Sequence, residues 1–132
     1  MKIRFENPLS FDLEVIEIDN KIPSMRVSVS ASIDQFQHTL EYKGTFWIEC
    51  TKWSNFKNSL RDSLSTISVL DDMSEQFSIK IERNNNIISF YLEFVKKDIC
   101  KEKTVKLNFS ADIDDDVFGK IRDEFLDFPE WW

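Results

Sequence analysis

Residues 25–33 read MRVSVSASI, with apolar and polar side chains alternating through all nine positions. A period of two places Met25, Val27, Val29, Ala31 and Ile33 on one face of a strand and Arg26, Ser28, Ser30 and Ser32 on the other. Half of this strand therefore faces water and half a core. The same period returns downstream. FSIKIE (77–82) directs Phe77, Ile79 and Ile81 inward, and IISFYLEFV (87–95) directs Ile88, Phe90, Leu92 and Phe94 inward. Between them the asparagines of RNNN (83–86) tolerate the positive φ of a tight hairpin turn. VKLNFSA (105–111) follows with Val105, Leu107, Phe109 and Ala111 on one parity. Upstream, Phe11, Leu13 and Val15 alternate, then Ile16 and Ile18 continue on the opposite parity, which predicts a bend or bulge near Val15.

Two segments change to helical spacing. WSNFKNSLRDSLSTI (53–67) sets Trp53, Phe56, Leu60, Leu64 and Ile67 at intervals of three and four, with Thr51 or Ser54 available as N-cap. The C-terminal stretch aligns Ile113, Val117, Phe118, Ile121, Phe125 and Phe128 before Pro129, which biases its predecessor away from helix. Helices are thus predicted near residues 52–66 and 113–127. The order strands, helix, strands, helix lacks the regular alternation of a parallel βαβ sheet. The expected class is α+β: an antiparallel β-sheet, a meander of six or more strands, covered by two amphipathic helices. At 132 residues the chain fits a single domain spanning 1–132.

Composition narrows the functional classes. Hydrophobic residues make up 42% and aromatics 14%, too apolar for a disordered chain. No run approaches the roughly 18 apolar residues of a membrane span. The start, MKIRFENPLSFDLEV, passes straight into alternation without a signal-peptide apolar region, so a cytoplasmic location is expected. Cys50 and Cys100 are expected reduced, at or near the core. The net charge of −7 disfavours nucleic acid and anionic membrane as partners, since both require a positive patch, and accommodates a basic protein partner. One local exception, KKDICKEKTVK (96–106), carries Lys96, Lys97, Lys101, Lys103 and Lys106 and reads as a solvated hairpin connection.

Only Gly44 and Gly119 are glycines, so neither a dinucleotide fingerprint nor a Walker loop can be present. One histidine and two separated cysteines cannot build a structural zinc site, and DIDDDVFG (112–119) has the wrong offsets for a calcium loop. No metal, cofactor or catalytic residue is therefore expected. One nucleophilic pair merits examination. His38 lies on the apolar parity of FQHTLEY (36–42), with Phe36, Leu40 and Tyr42, and TFWIEC (45–50) follows. A three-residue hairpin loop at Lys43–Gly44–Thr45 would set His38 opposite Cys50; a two-residue loop would set it opposite Glu49. A Cys–His pair acts only with an accessible, low-pKa thiol, and otherwise both residues simply end the core.

The last 22 residues, ADIDDDVFGKIRDEFLDFPEWW, hold eight acids and two bases, and so six of the seven net negative charges. Asp112, Asp114, Asp115 and Asp116 suit the cap and first turn of a helix, whose free N–H groups and dipole favour carboxylates. Asp123, Glu124 and Asp127 sit at the end where the dipole disfavours them, followed by Glu130. With Trp131, Trp132 and the outward-parity Trp47 they form the candidate partner-binding set, exposed tryptophans being interface anchors. The terminal pair can equally fold back and plug the sheet.

The succession LEVIEI, RVSVSASI, WSNFKNSLRDSL, FSIKIERNNNIISFYLEF and VKLNFSADIDDDVFGKIRDEFLDFPEWW resembles the WapI-type immunity proteins of bacterial contact-dependent toxins, with SFDLEV standing where that family has an aspartate-tryptophan-leucine entry. The resemblance implies a non-enzymatic antitoxin whose variable surface blocks a basic, nuclease-like toxin by occluding its active cleft. The other readings are a small-ligand or accessory α+β module with a pocket between helix and sheet, and a Cys50/His38 enzyme. A monomer or homodimer is expected.

Overall fold

The computed structural model describes residues 1–98, 100 and 102–132. Strands β1 (Lys2–Phe5), β2 (Ser10–Asp19), β3 (Ser24–Gln35) and β4 (His38–Glu49) form one antiparallel sheet in that order. Helix α1 (Cys50–Arg61) follows β4 directly. Strands β5 (Ile67–Asp71), β6 (Phe77–Asn84), β7 (Ile87–Asp98) and β8 (Lys103–Ile113) form a second antiparallel sheet, and α2 (Asp115–Leu126) completes the fold. The class is α+β, but the expected single meander divides into two four-stranded sheets.

The division follows from what one face of each sheet must bury. Two short helices cannot cover eight strands, whereas two sheets can cover each other. Phe5 of β1 meets Phe90 of β7 edge-on at 6.0 Å, Tyr42 of β4 stacks on Phe94 of β7 at 3.8 Å, and Phe46 of β4 stacks on Phe77 of β6 at 5.1 Å. The alternating positions that define these strands are buried as expected: Met25, Val27, Val29 and Ala31 in β3, then Phe77, Ile79, Ile81, Ile88, Phe90, Leu92 and Phe94 in β6 and β7. Asn85 takes the positive φ of the β6–β7 turn, and the β2 register shifts between Val15 and Glu17. In β8, an edge strand, Leu107, Phe109 and Ala111 are only half-buried and Val105 is 64% exposed, because no neighbour covers its outer flank.

The helices fill the rest of the core. Trp53 and Phe56 of α1 pack on Phe125 of α2, while Leu60, Phe118 and Ile121 are buried beside them. Helix α1 ends at Arg61, five residues before its expected limit. Asp62 turns extended and its carboxylate accepts from Leu64 N–H (2.9 Å), an Asx turn that competes with another helical turn. The Arg83 guanidinium takes the freed carbonyls of Ser59 and Asp62. Leu64 is consequently 88% exposed, and Ile67 belongs to β5. At the other end Glu49, rather than Thr51 or Ser54, is the N-cap, without a side-chain cap bond. Ile113 and Asp112 close β8 instead of opening α2.

Each helix also covers a sheet edge. Helix α2 packs on β1, where Glu124 accepts a hydrogen bond from Arg4 N–H (3.1 Å), and α1 packs on β5. Of the opposite edges, β4 touches helix α1, which follows it, and among the described residues neither β4 nor β8 has a strand on its outer side.

Candidate functional site

The Cys–His pair does not form. Residues 38–49 are one continuous strand, and the turn lies earlier, at Phe36–Gln37, with Gln35 paired to His38. Neither loop considered above exists. His38 therefore opens β4 and Cys50 follows its far end as the first residue of α1, about 40 Å away at roughly 3.3 Å per residue. His38 is exposed, not a core residue, because the β3–β4 hairpin outruns its sheet: β2 begins at Ser10, opposite Ser32, so beyond Ile33 residues 34–39 form a two-stranded ribbon without cover. Phe36, expected on an apolar face, is at the ribbon's tip, 96% exposed and with a φ of 57°. Cys50 is buried, and desolvation first, then the negative charge of Glu130, pushes its thiol up to about 11. It is protonated at neutral pH and poorly nucleophilic. Cys100 is exposed in the β7–β8 connection instead of near-core. The connection is shorter than expected, because Lys96 and Lys97 belong to β7 and Lys103 and Lys106 to β8, although all four are exposed as expected; Lys101 lies outside the described residues.

The acids of the C-terminal segment separate by what they contact. Asp114 caps α2, accepting from Val117 N–H (2.8 Å), with Asp115 and Asp116 in the first turn. Asp112 accepts from the Ser89 hydroxyl (2.9 Å) on the outer face of the second sheet, as a strand residue and not a cap. Glu124 is engaged with β1, Asp123 pairs with Arg122 at 3.3 Å, and Asp116 pairs with Lys120 at 3.3 Å. Asp127 is the exposed C-cap of α2. The β8–α2 junction thus presents four exposed carboxylates within five residues, with Lys120 as their one paired cation among the described residues.

Glu130 and the tryptophans have a structural role in addition. Lys57, 3% exposed, donates to Phe128 O (2.8 Å) and lies 3.3 Å from Glu130 Oε1. Trp132 Nε1 donates to Ser54 Oγ (2.8 Å), and Phe128 packs on Trp53 at 4.7 Å. Trp131 and Trp132 are half-buried and edge-to-face with each other. The tail folds back, on α1 rather than on a sheet. In the sequence the signal for Lys57 is a charge on the apolar stripe Trp53–Phe56–Leu60.

Two hollows adjoin candidate residues. One, of about 420 Å³, lies between β1 and α2 and is lined by Arg4, Glu6, Asn7, Lys120, Asp123 and Glu124. The other, about 250 Å³, holds half-buried Trp47 between Ile22 and Met73, both exposed. Among the described residues no group of three or more His, Cys, Asp or Glu side chains is placed to hold a metal ion, and no helix is long and apolar enough to cross a membrane. No family model, curated protein or solved structure matched the chain.

Proposed function

We propose that this chain is a non-enzymatic cytoplasmic binding protein, an immunity protein that neutralises a basic, nuclease-like toxin by occluding its active cleft. The carrying observation is the β8–α2 junction, where Asp112, Asp114, Asp115 and Asp116 stand exposed with a single paired lysine among the described residues. Capping accounts for Asp114 and favours its neighbours, but no cap requires Asp112, which extends the negative field onto the outer face of the second sheet. The resemblance of the strand and helix segments to WapI-type immunity proteins supports the same reading. Charge complementarity of this kind accelerates encounter and selects the partner more than it adds affinity.

The test is to read the frame immediately upstream and, where it encodes a large secreted protein, to co-express the chain with that protein's C-terminal domain, followed by stopped-flow association across a salt series. The chain should restore growth, and the Asp112→Asn/Asp115→Asn/Asp116→Asn variant should associate more slowly with a flatter salt dependence, since exposed charges are screened over about 8–10 Å. Failure of the unaltered chain to rescue growth would sink the reading.

A second reading has its own observation. The hollow between β1 and α2 has the volume of a small-ligand site and lies between helix and sheet. Its mixed lining of Arg4 and Lys120 against Glu6, Asp123 and Glu124 favours a zwitterionic ligand, for which calorimetry with free amino acids is the direct probe.

A further inference from the structure

The four sheet edges are treated differently. Helix α2 packs on β1 and helix α1 on β5; α1 also touches β4, the strand it follows, but among the described residues no strand pairs with the outer side of β4. Cys50 N–H bonds Pro23 O across to β3, so the even-numbered residues of β4 turn their backbone groups inward and the odd-numbered ones outward. Trp47 O confirms the parity by accepting from Met73 N–H (2.8 Å) in the β5–β6 loop, which closes the edge at that point. From Thr39 to Thr45, among the described residues, the outward groups of Thr39, Glu41, Lys43 and Thr45 meet no backbone partner. The β3–β4 register has no bulge and β4 contains no proline, so two usual protections of an edge strand are missing.

We infer that this edge pairs with β4 of a second copy, antiparallel about a two-fold axis passing between the two Tyr42 residues. The charges select the register. Only an odd residue opposite an odd residue aligns the free groups. With Glu41 opposite Glu41, or Lys43 opposite Lys43, like charges would face each other directly, which is destabilising; centring on Leu40 or Gly44 instead sets Lys43 against Gln37 of the turn or Glu41 against Trp47, whose carbonyl Met73 already occupies. Centring on Tyr42 sets Glu41 opposite Lys43 of the second copy, and Lys43 opposite its Glu41. Thr39 then faces Thr45, and all four outward residues of each copy find a partner.

The inner face agrees with this register. Leu40, 49% exposed, comes opposite Gly44 of the second copy. There the rings of Tyr42 and Phe46 lean over the glycine and, with Lys96 and Val105, line an open hollow of about 480 Å³. The half-exposed leucine gains an apolar surface to cover. A two-fold interface of this kind is isologous and closes on itself, yielding a dimer with a continuous eight-stranded sheet instead of a filament. The acidic β8–α2 surface takes no part, so the inference stands independently of the function proposed above.

Sedimentation velocity of the full chain over a concentration series is the test. The unaltered protein should dimerise reversibly. Lys43→Glu should raise the dimer dissociation constant about tenfold or more, because two symmetric like-charge contacts are created. Glu41→Lys should do the same, and the double exchange Glu41→Lys/Lys43→Glu should restore dimerisation. A protein monomeric at every concentration overturns the inference, as does a dimer that tolerates either single change or is not restored by the exchange.

Discussion

Gly44 shows how a residue without a side chain can organise its neighbours. A Cβ added there would come within 2.8 Å of Phe46 Cζ and 3.1 Å of Tyr42 Cε1, because both rings lean across the glycine to reach Phe94. Gly44→Ala should therefore destabilise by roughly 1–3 kcal/mol, the cost of overpacking a formed core. A lowered denaturant midpoint at unchanged m-value is the expected record. The sequence marked Gly44 as a turn residue, for glycine between two alternating runs also describes a hairpin loop. That ambiguity produced the Cys50–His38 pairing: local pattern does not distinguish a glycine that turns the chain from one that admits an aromatic ring. Phe36 is the converse case. An apolar parity read it as core, yet a bulky residue at positive φ and almost full exposure costs stability twice, through backbone strain and through apolar surface left in water.

At the scale of elements, the terminal segment behaves as an extension of the helical layer. Phe128 is buried against Trp53, Lys57 holds the backbone at Phe128, and Trp132 is hydrogen-bonded to Ser54. Removing Trp131 and Trp132 should lower stability by roughly 2–4 kcal/mol, given about 25 cal/mol per Å² of apolar surface returned to water. A fall in melting temperature would record it. A melting temperature unchanged by the truncation would return both tryptophans to the role of free interface anchors. The α2 stripe Phe118–Ile121–Phe125 was fully legible, since 3.6-residue periodicity needs no tertiary partner to be recognised. The end of α1 was not. Leu64 and Ile67 continue the periodic pattern, but the Asx turn at Asp62 and the Arg83 guanidinium from β6 terminate the helix first.

For the whole molecule, alkaline pH should expose the contribution of three groups. Burial raises the Cys50 thiol to about 11 and, with a smaller effect of Asp72, raises the Tyr42 phenol; the hydrogen bond to Asp71 raises the Lys52 ammonium. Each is a folded-state pKa above its unfolded value, so the stability each contributes is complete below the unfolded pKa and is lost as pH climbs through the folded one. Unfolding free energy should therefore decline from about pH 9 upward, and Cys50→Ala should flatten the first part of that decline. Equal pH profiles for the two proteins would remove Cys50 from the account. The strands β2, β3, β6, β7 and β8, most of their inward residues, the bulge after Val15, the β6–β7 turn and the concentration of charge at the C-terminal end were determined by the sequence itself, because alternation, turn chemistry and charge are properties of neighbours along the chain, whereas β1 and β5 were too short to show a period. The division into two facing sheets, the merging of residues 38–49 into one strand and the folding of the tail onto Lys57 were decided only in the tertiary structure. Each depends on which distant surface is available to bury an apolar face or satisfy a buried charge, and neighbours along the chain carry no record of that surface.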